Sequence, residues 1–389
     1  MNNLIIFSYN YKTGFGGMES HFLNMIEYFK YDNEWTCKFI VYKDNNKIIL
    51  QSLIDNTIIF FKSDKLLSLY LYNKFKNTNY CLFFNDGRWI ESLHIFREYN
   101  KRAILCQRSG GNEFMKAPLF NCNMSLEYRQ KKWAEIINKN LDFIISNSDF
   151  TTDRLKSIGV LSERIIKIRG GVDKENSINN ILSKNNLRET FNSQYNISNK
   201  KYIIISAARF TEFKGIDNLI NAIGLSKYKK DILLVLVGDG DLKESLVKSC
   251  KSNLDEKSFI FLGATSYIET MKYIAAADLY CSTSISFMKA SGQQKYIHTE
   301  TMGRSILEAI CQRTCIIATD VGGVSEWFRG DYNIGRLISY TDISTITKAI
   351  DDVISSNFYI DDVSGYFLQQ YSWKVVFNKY KVLWREYFE

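Results

Sequence analysis

Two glutamates, Glu300 and Glu308, stand eight positions apart in the stretch TETMGRSILEAI, with Gly303 between them. Carboxylates placed this way, one in a loop and one in the first turn of an amphipathic helix, can accept hydrogen bonds from a ligand's hydroxyls. The second can instead serve its own helix, because Ser305 and Glu308 fit the S-x-x-E capping box. Two cations, Arg209 and Lys214 in RFTEFKG, follow the apolar run IIISAA. Paired cations beside a helix start, with a glycine for close approach, suit a diphosphate: amide donors and the helix dipole favour the anion while Arg and Lys neutralise it. Gly238 in VGDG and Gly322–Gly323 in CIIATDVGG follow two further apolar runs.

Parallel sheets covered by helices would position such groups. NLIIFSY (3–9), CKFIVYK (37–43), TIIFFK (57–62), YCLFFND (80–86), RAILCQR (102–108) and DFIISNS (142–148) look like buried strands, and ESHFLNMIEYFK (19–30) like an amphipathic helix. Continuous apolar strands alternating with helices imply a parallel sheet with both faces covered. The polar stretch 171–201 interrupts the rhythm, which restarts with strands at 201–209, 231–240, 258–264, 277–284 and 315–323 and helices at 215–226 and 305–312. The expected fold class is α/β, with two doubly wound, Rossmann-like domains. The boundaries are an N-terminal domain over 1–172, a linker over 173–200, a second domain over 201–370, and a C-terminal helix over 371–389 that crosses back to the first. Ligands of such sheets bind beyond the carboxyl ends of the strands, where the cations, glycines and glutamates stand.

At 389 residues the chain is long enough for two cores, and its 46% hydrophobic and 24% charged fractions are those of a globular protein. No apolar run approaches a membrane span, and MNNLIIFSYN lacks the basic start and cleavage site of an export signal. Eight scattered cysteines, several inside apolar runs, suggest buried thiols in a reducing cytoplasm. Cys311 and Cys315 have no second Cys or His pair nearby to complete a zinc site, so no metal is expected. Residues 1–170 hold 24 Lys and Arg against 17 Asp and Glu, leaving 26 against 25 for the rest. The basic first half points to an anionic partner, and KLLSLYLYNKFK (65–76) offers a helix that either packs in the core or rests on an anionic membrane face. Nothing points to nucleic acid.

Taken together, these motifs resemble the retaining, family 4 type of glycosyltransferase (glycosyl transferases group 1). Its GT-B fold sets two Rossmann-like domains facing each other across a nucleotide-sugar cleft. The resemblance is carried by Arg209–Lys214–Gly215 after a strand, VGDG (237–240), FLGA (261–264), Asp278 in AAADLYCSTS, the Glu300-to-Glu308 spacing and IIATDVGGVSE (316–326). GFGGMES (14–20) matches the family's glycine-rich first loop, SNSDFTTDRLKSIGV to GGVD (146–173) its domain exit, and YSWKVVFNKYKVLW (371–384) its last helix.

The resemblance implies a metal-independent hexosyltransferase without a cofactor, whose co-substrate is a nucleoside diphosphate sugar, a UDP-sugar foremost. Its acceptor would be a glycan or lipid-linked glycan in surface polysaccharide or lipopolysaccharide synthesis, handled at the inner face of the membrane. By position, Arg209 and Lys214 hold the diphosphate, Glu308 the ribose, and Glu300 the sugar near its reacting end. Gly16, Gly17, Gly238, Gly303, Arg304, Ser305 and Ile306 complete the donor contacts. Gln107 and Arg108 stand where family members often carry a histidine facing the sugar, and His298, in an unusually long approach to Glu300, is a further candidate for the sugar or acceptor. GFGGME places Glu19 where a dinucleotide site needs its third glycine, which argues against a dehydrogenase, and DGD (239–241) reads as a turn rather than a metal-binding D-x-D. The alternatives are a GT-B-fold nucleotide-sugar epimerase and an inert sugar-nucleotide binder.

Overall fold

Runs of β-branched and aromatic residues with buried backbones make the strands, and the lengths of the connections between them decide their directions. The computed structural model describes residues 2–8, 17–44, 47–117, 124–197, 200–291, 294–339 and 342–389. They form two units, the first built from Met1–Gly171, Met288–Ile297 and Trp373–Glu389, the second from Val172–Phe287 and His298–Ser372.

The first unit contains β1 (Asn2–Phe7), β2 (Trp35–Asp44), β3 (Lys47–Ser52), β4 (Ile58–Phe61), β5 (Tyr80–Phe84), β6 (Ile104–Arg108), β7 (Phe143–Ser146) and β8 (Ile165–Lys167), in the order β4-β3-β2-β1-β5-β6-β7-β8. β1 pairs in parallel with both β2 and β5, so the winding reverses there. The sheet is mixed rather than all parallel, because β3 and β4 run antiparallel to their neighbours. The reason is covalent: only two residues separate β2 from β3, and only a few separate β3 from β4, too short for a crossover. β1 alternates cleanly, Ile5 and Phe7 entering one apolar cluster and Leu4 and Ile6 the other. The second cluster is closed by Phe22, Met25 and Phe29 of the Gly17–Lys30 helix and by Val376, Phe377, Tyr380 and Trp384 of the Trp373–Phe388 helix. The Asp64–Phe75 helix buries Leu67, Ser68, Leu71 and Phe75 at four-residue spacing, and so packs in the core with one face while leaving Leu66 and Tyr72 outside. Among the described residues no helix is long and apolar enough to cross a membrane.

The second unit holds β9 (Tyr202–Ala207), β10 (Ile232–Val237), β11 (Phe259–Gly263) and β12 (Leu279–Ser282). A hairpin of β13 (Phe287–Ser291) and β14 (Gln294–His298) follows, then β15 (Cys315–Thr319) and β16 (Gly335–Ile338). The six strands of its sheet are all parallel, ordered β11-β10-β9-β12-β15-β16. Ile203 and Ile205 face one cluster and Ile204 the other, so both faces are covered. The polar stretch before β9 forms two helices, Lys174–Leu182 and Lys184–Gln194. Asp173 caps the first by accepting from the Asn176 amide at 3.0 Å, and Arg188 ties the second to Asp278 at 2.8 Å. Burial of Phe191 adds the tertiary support that Asn and Ser, weak helix formers, need. Cys311 closes its helix within one apolar cluster, and Cys315 opens β15 within the other. All described cysteines are buried and unpaired.

Candidate active site

In a doubly wound sheet the ligand crevice opens where neighbouring strands wind in opposite directions. In the second unit that point lies between β9 and β12. Leaving β9, the chain passes the exposed Arg209 and the fully buried Phe210, makes one 3-10 turn over Glu212–Lys214, and enters the Ile216–Leu225 helix at Gly215. Arg209 has no ion-pair partner among the described residues, whereas the Lys214 ammonium meets Glu300 Oε2 at 2.5 Å.

Glu300 is held from three sides. Its Oε1 accepts from the Gly303 amide at 3.1 Å, and its carbonyl accepts from the Gly323 amide at 3.2 Å. Gly322 lies so close (φ 57°) that a Cβ there would come 1.8 Å from that carbonyl oxygen, so only glycine fits. Burial alone would push the Glu300 carboxyl up; the Lys214 charge and the Met302 and Gly303 amides outweigh it and hold it below the usual range.

The following helix begins at Arg304, not Ser305. Gly303 caps it in the left-handed region (φ 71°), without a side-chain bond. The capping-box reading of Ser305 and Glu308 therefore fails: Ser305 sits inside the first turn and Glu308 one turn on, out of reach of the cap. A real capping box occurs elsewhere, between Ser266 and Glu269. Glu308 is 6% exposed, and Arg304 Nε lies 3.0 Å from its Oε1, but not in hydrogen-bonding alignment. That oxygen consequently has no hydrogen-bond partner among the described residues. Burial pushes its carboxyl up, against the opposing pull of Arg304 and Lys214. One helix thus separates a carboxylate stabilised as an anion from one left short of donors.

Around this pair, the buried Tyr280 donates to the Ala207 carbonyl at 3.2 Å and bonds Ser305, while Tyr267 lies within electrostatic reach of Glu308. Ile306 is fully buried, and its amide is bonded to the Gly303 carbonyl at 3.0 Å. His298 packs between Phe213 and Phe287, at 4.7 and 5.7 Å between ring centroids, beside Lys214. Gly238 donates to the Gly263 carbonyl at 2.8 Å, and Asp239 pairs with Lys243 at 3.0 Å and with the Gly240 amide, in keeping with a turn. Neither tyrosine stood out in the sequence, because Tyr280 stands early in β12 and Tyr267 opens the helix after the edge strand β11, away from the strand ends of the switch point. Among the described residues no group of His, Cys, Asp and Glu is placed to hold a metal ion.

The first unit has its own crevice position, between β1 and β5. Gly16 lies outside the described residues, and Gly17 opens the first helix. Gln107, at the end of β6, is 1% exposed, yet neither its Oε1 nor its Nε2 has a hydrogen-bond partner among the described residues. Arg108 is buried beside it, with Nη1 at 2.8 Å from Met18 Sδ and a bond to Tyr380. Asn85, just after β5, donates to the Met18 carbonyl at 3.1 Å, and its buried Oδ1 is unpartnered among the described residues. Its position at the switch point would have singled it out once the strand order was known.

Residues 188–364, which contain Arg209, Lys214, Glu300 and Glu308, match the family model of Glycosyl transferases group 1. The matched stretch spans most of the second unit, which is thus similar to a group 1 glycosyl transferase domain. Among curated relatives, the uncharacterized glycosyltransferase MJ1607 of Methanocaldococcus jannaschii is 24% identical over 49% of this chain and 48% of its own length. TuaC of Bacillus subtilis, named for teichuronic acid biosynthesis, is 31% identical over 32% of this chain and 26% of its own. The chain thus spans less than half the length of these relatives. Among solved structures, the Anabaena protein HepE in complex with UDP superposes with a TM-score of 0.70, at 15% identity, covering 99% of this chain and 100% of that one. The architecture is GT-B, with two Rossmann-like domains. In the second unit the cations stand at the carboxyl end of β9 and the glutamates beyond β12, on either side of its switch point.

Proposed function

We propose that the chain is a retaining, metal-independent glycosyltransferase that moves a sugar from a UDP-sugar to a glycan or lipid-linked acceptor in surface polysaccharide synthesis. The observation that carries this reading is Glu308 Oε1, a buried acceptor that among the described residues has only the poorly aligned Arg304 Nε at 3.0 Å; the paired hydroxyls of a ribose would supply the hydrogen bonds it lacks. Arg209, Lys214 and the amides of Arg304 and Ser305 would receive the diphosphate, and Glu300 would contact the sugar. As the bond from the sugar's anomeric carbon to the diphosphate breaks, the cations and amides stabilise the charge growing on the leaving oxygen. The acceptor hydroxyl bonds to that carbon from the same face, and its proton passes to the departing diphosphate. No side chain is needed as nucleophile.

The choice of UDP follows the HepE complexes, which hold UDP, UDP with glucose, and UDP-glucose, and polysaccharide synthesis follows the name of TuaC. In the first unit, Gln107, Arg108 and Asn85 would meet hydroxyls of the acceptor or the transferred sugar. Leu66 and Tyr72, with Ile58 and Phe60 of β4 and the lysines around them, would rest on anionic lipid at the inner membrane face. Thermal-shift screening with a panel of nucleotide sugars, followed by product identification, tests the assignment. Stabilisation by UDP-sugars and a glycosylated acceptor are expected; an epimerised donor, or binding without turnover, would overturn it.

A further inference from the structure

A cation on the first turn of a helix works against the helix dipole, and an Arg four residues ahead of a Glu is the weaker of the two orders for such a pair. Arg304 does both: it opens the Arg304–Cys311 helix, and Glu308 is its partner one turn on. The helix by itself therefore gives no reason for an Arg at this position, and the reason lies in what the guanidinium faces. Its Nε stands 3.0 Å from Glu308 Oε1, with the two side chains 20% and 7% exposed. Opposite charges so close and so little hydrated attract strongly, without the alignment that a hydrogen bond needs. The other described groups around Glu308, all in the same unit, do less. Lys214 pulls on Glu308 too, but it meets Glu300 at 2.5 Å. Tyr267, Tyr280 and Cys311 lie within its field, and burial raises all three, so they stay neutral near pH 7. Burial meanwhile favours the protonated form of Glu308, which accepts from a hydroxyl more weakly than the anion does.

We infer that Arg304 is a positioning residue that acts through Glu308: its guanidinium keeps the carboxylate in the charged form that a ribose binds, and so sets the pH range over which the chain holds a nucleotide. This rests on the ribose-binding role of Glu308 proposed above. The guanidinium itself need not touch the nucleotide.

The test compares the full chain with Arg304→Met, Arg304→Lys, Glu308→Gln and the pair Arg304→Met with Glu308→Gln. Calorimetry measures UDP affinity from about pH 6 to about pH 9, each value taken relative to Glu308→Gln at the same pH, which cancels the titration of the UDP phosphate. Near pH 6, Arg304→Met should bind UDP about tenfold or more weakly than the parent and approach Glu308→Gln; near pH 9, where the carboxyl ionises unaided, it should come within about threefold of the parent. Arg304→Lys should stay close to the parent throughout. In the Glu308→Gln background, Arg304→Met should change affinity by less than about threefold at every pH. A loss equal at every pH, or one that persists in the Glu308→Gln background, would show the guanidinium binding the phosphates itself and overturn the inference. A pH profile in Arg304→Met that matches the parent's would overturn it too. Melts without ligand give an independent check, since a charged Glu308 deprived of its cation costs the fold more. Near pH 8, Arg304→Met should melt below the double variant by a wider gap than separates the parent from Glu308→Gln, closing as pH falls towards about 4.3. A gap no wider than the parent's would also overturn the inference. Unchanged UDP affinity in Glu308→Gln alone would instead refute the ribose role of Glu308, and this inference with it.

Discussion

Replacing Glu308 by glutamine separates a ligand-binding carboxylate from a structural one. The Oε1 atom is buried and has no aligned hydrogen-bond donor among the described residues, and burial holds the carboxyl above its usual range. The ionised group therefore costs the fold stability, and a ribose bound there would relieve it. A hydrogen bond to a charged acceptor contributes about 1.5–3 kcal/mol, so Glu308→Gln should weaken UDP binding about 10- to 150-fold. Stability should move the other way. For a carboxyl raised in the folded state, the stability it contributes is present below the unfolded value of about 4.3 and lost as pH rises through the higher folded value. Glutamine cannot ionise, so the variant should melt no lower than the parent at pH 7, with the difference shrinking as pH falls towards about 4.3. Calorimetry with UDP and thermal melts across that range measure both effects. Unchanged UDP affinity, or a lower melting temperature at pH 7 with affinity intact, would refute the reasoning and leave Glu308 as a partner of Arg304 only.

Glu300→Gln should show the opposite signs: its carboxyl is held low by Lys214 and two amides, so its stabilisation is present above about 4.3 and lost as pH falls through the lower folded value. That variant should melt lower than the parent at pH 7 and bind UDP normally while transfer falls sharply, because the product lacks the sugar that Glu300 is proposed to contact; equal losses of UDP affinity in the two glutamate variants would sink this division of roles. Lys214→Ala should lower kcat by about two to three orders of magnitude, the scale for losing one preorganised donor, and near-normal turnover would remove it from the phosphate site. Sedimentation with anionic vesicles should be strong at low salt and fade as ionic strength rises; binding absent or indifferent to salt would favour a soluble acceptor.

The sequence by itself determined most of the strands, the helices that begin at Gly17, Asp64, Ile216, Arg304 and Trp373, and the strand-end placement of Arg209, Lys214, Glu300 and Glu308, because periodicity and turn glycines act over a few residues. It also marked the group 1 motifs. It misplaced the helix start, where an apt S-x-x-E pattern yields to Gly303 in the left-handed region. It passed over KIILQS as a strand, since β3 follows β2 too closely for a parallel arrangement. Only the tertiary structure could bring Lys214 to Glu300 across 86 positions, seat Tyr296 in the first unit, and leave the Gln107 amide and Glu308 Oε1 without aligned hydrogen-bond partners among the described residues. The two glutamates make the reason plain. They are the same residue on one short stretch, yet one is pushed down and the other up, because a carboxyl's charge answers to burial and to neighbours that sequence proximity does not supply.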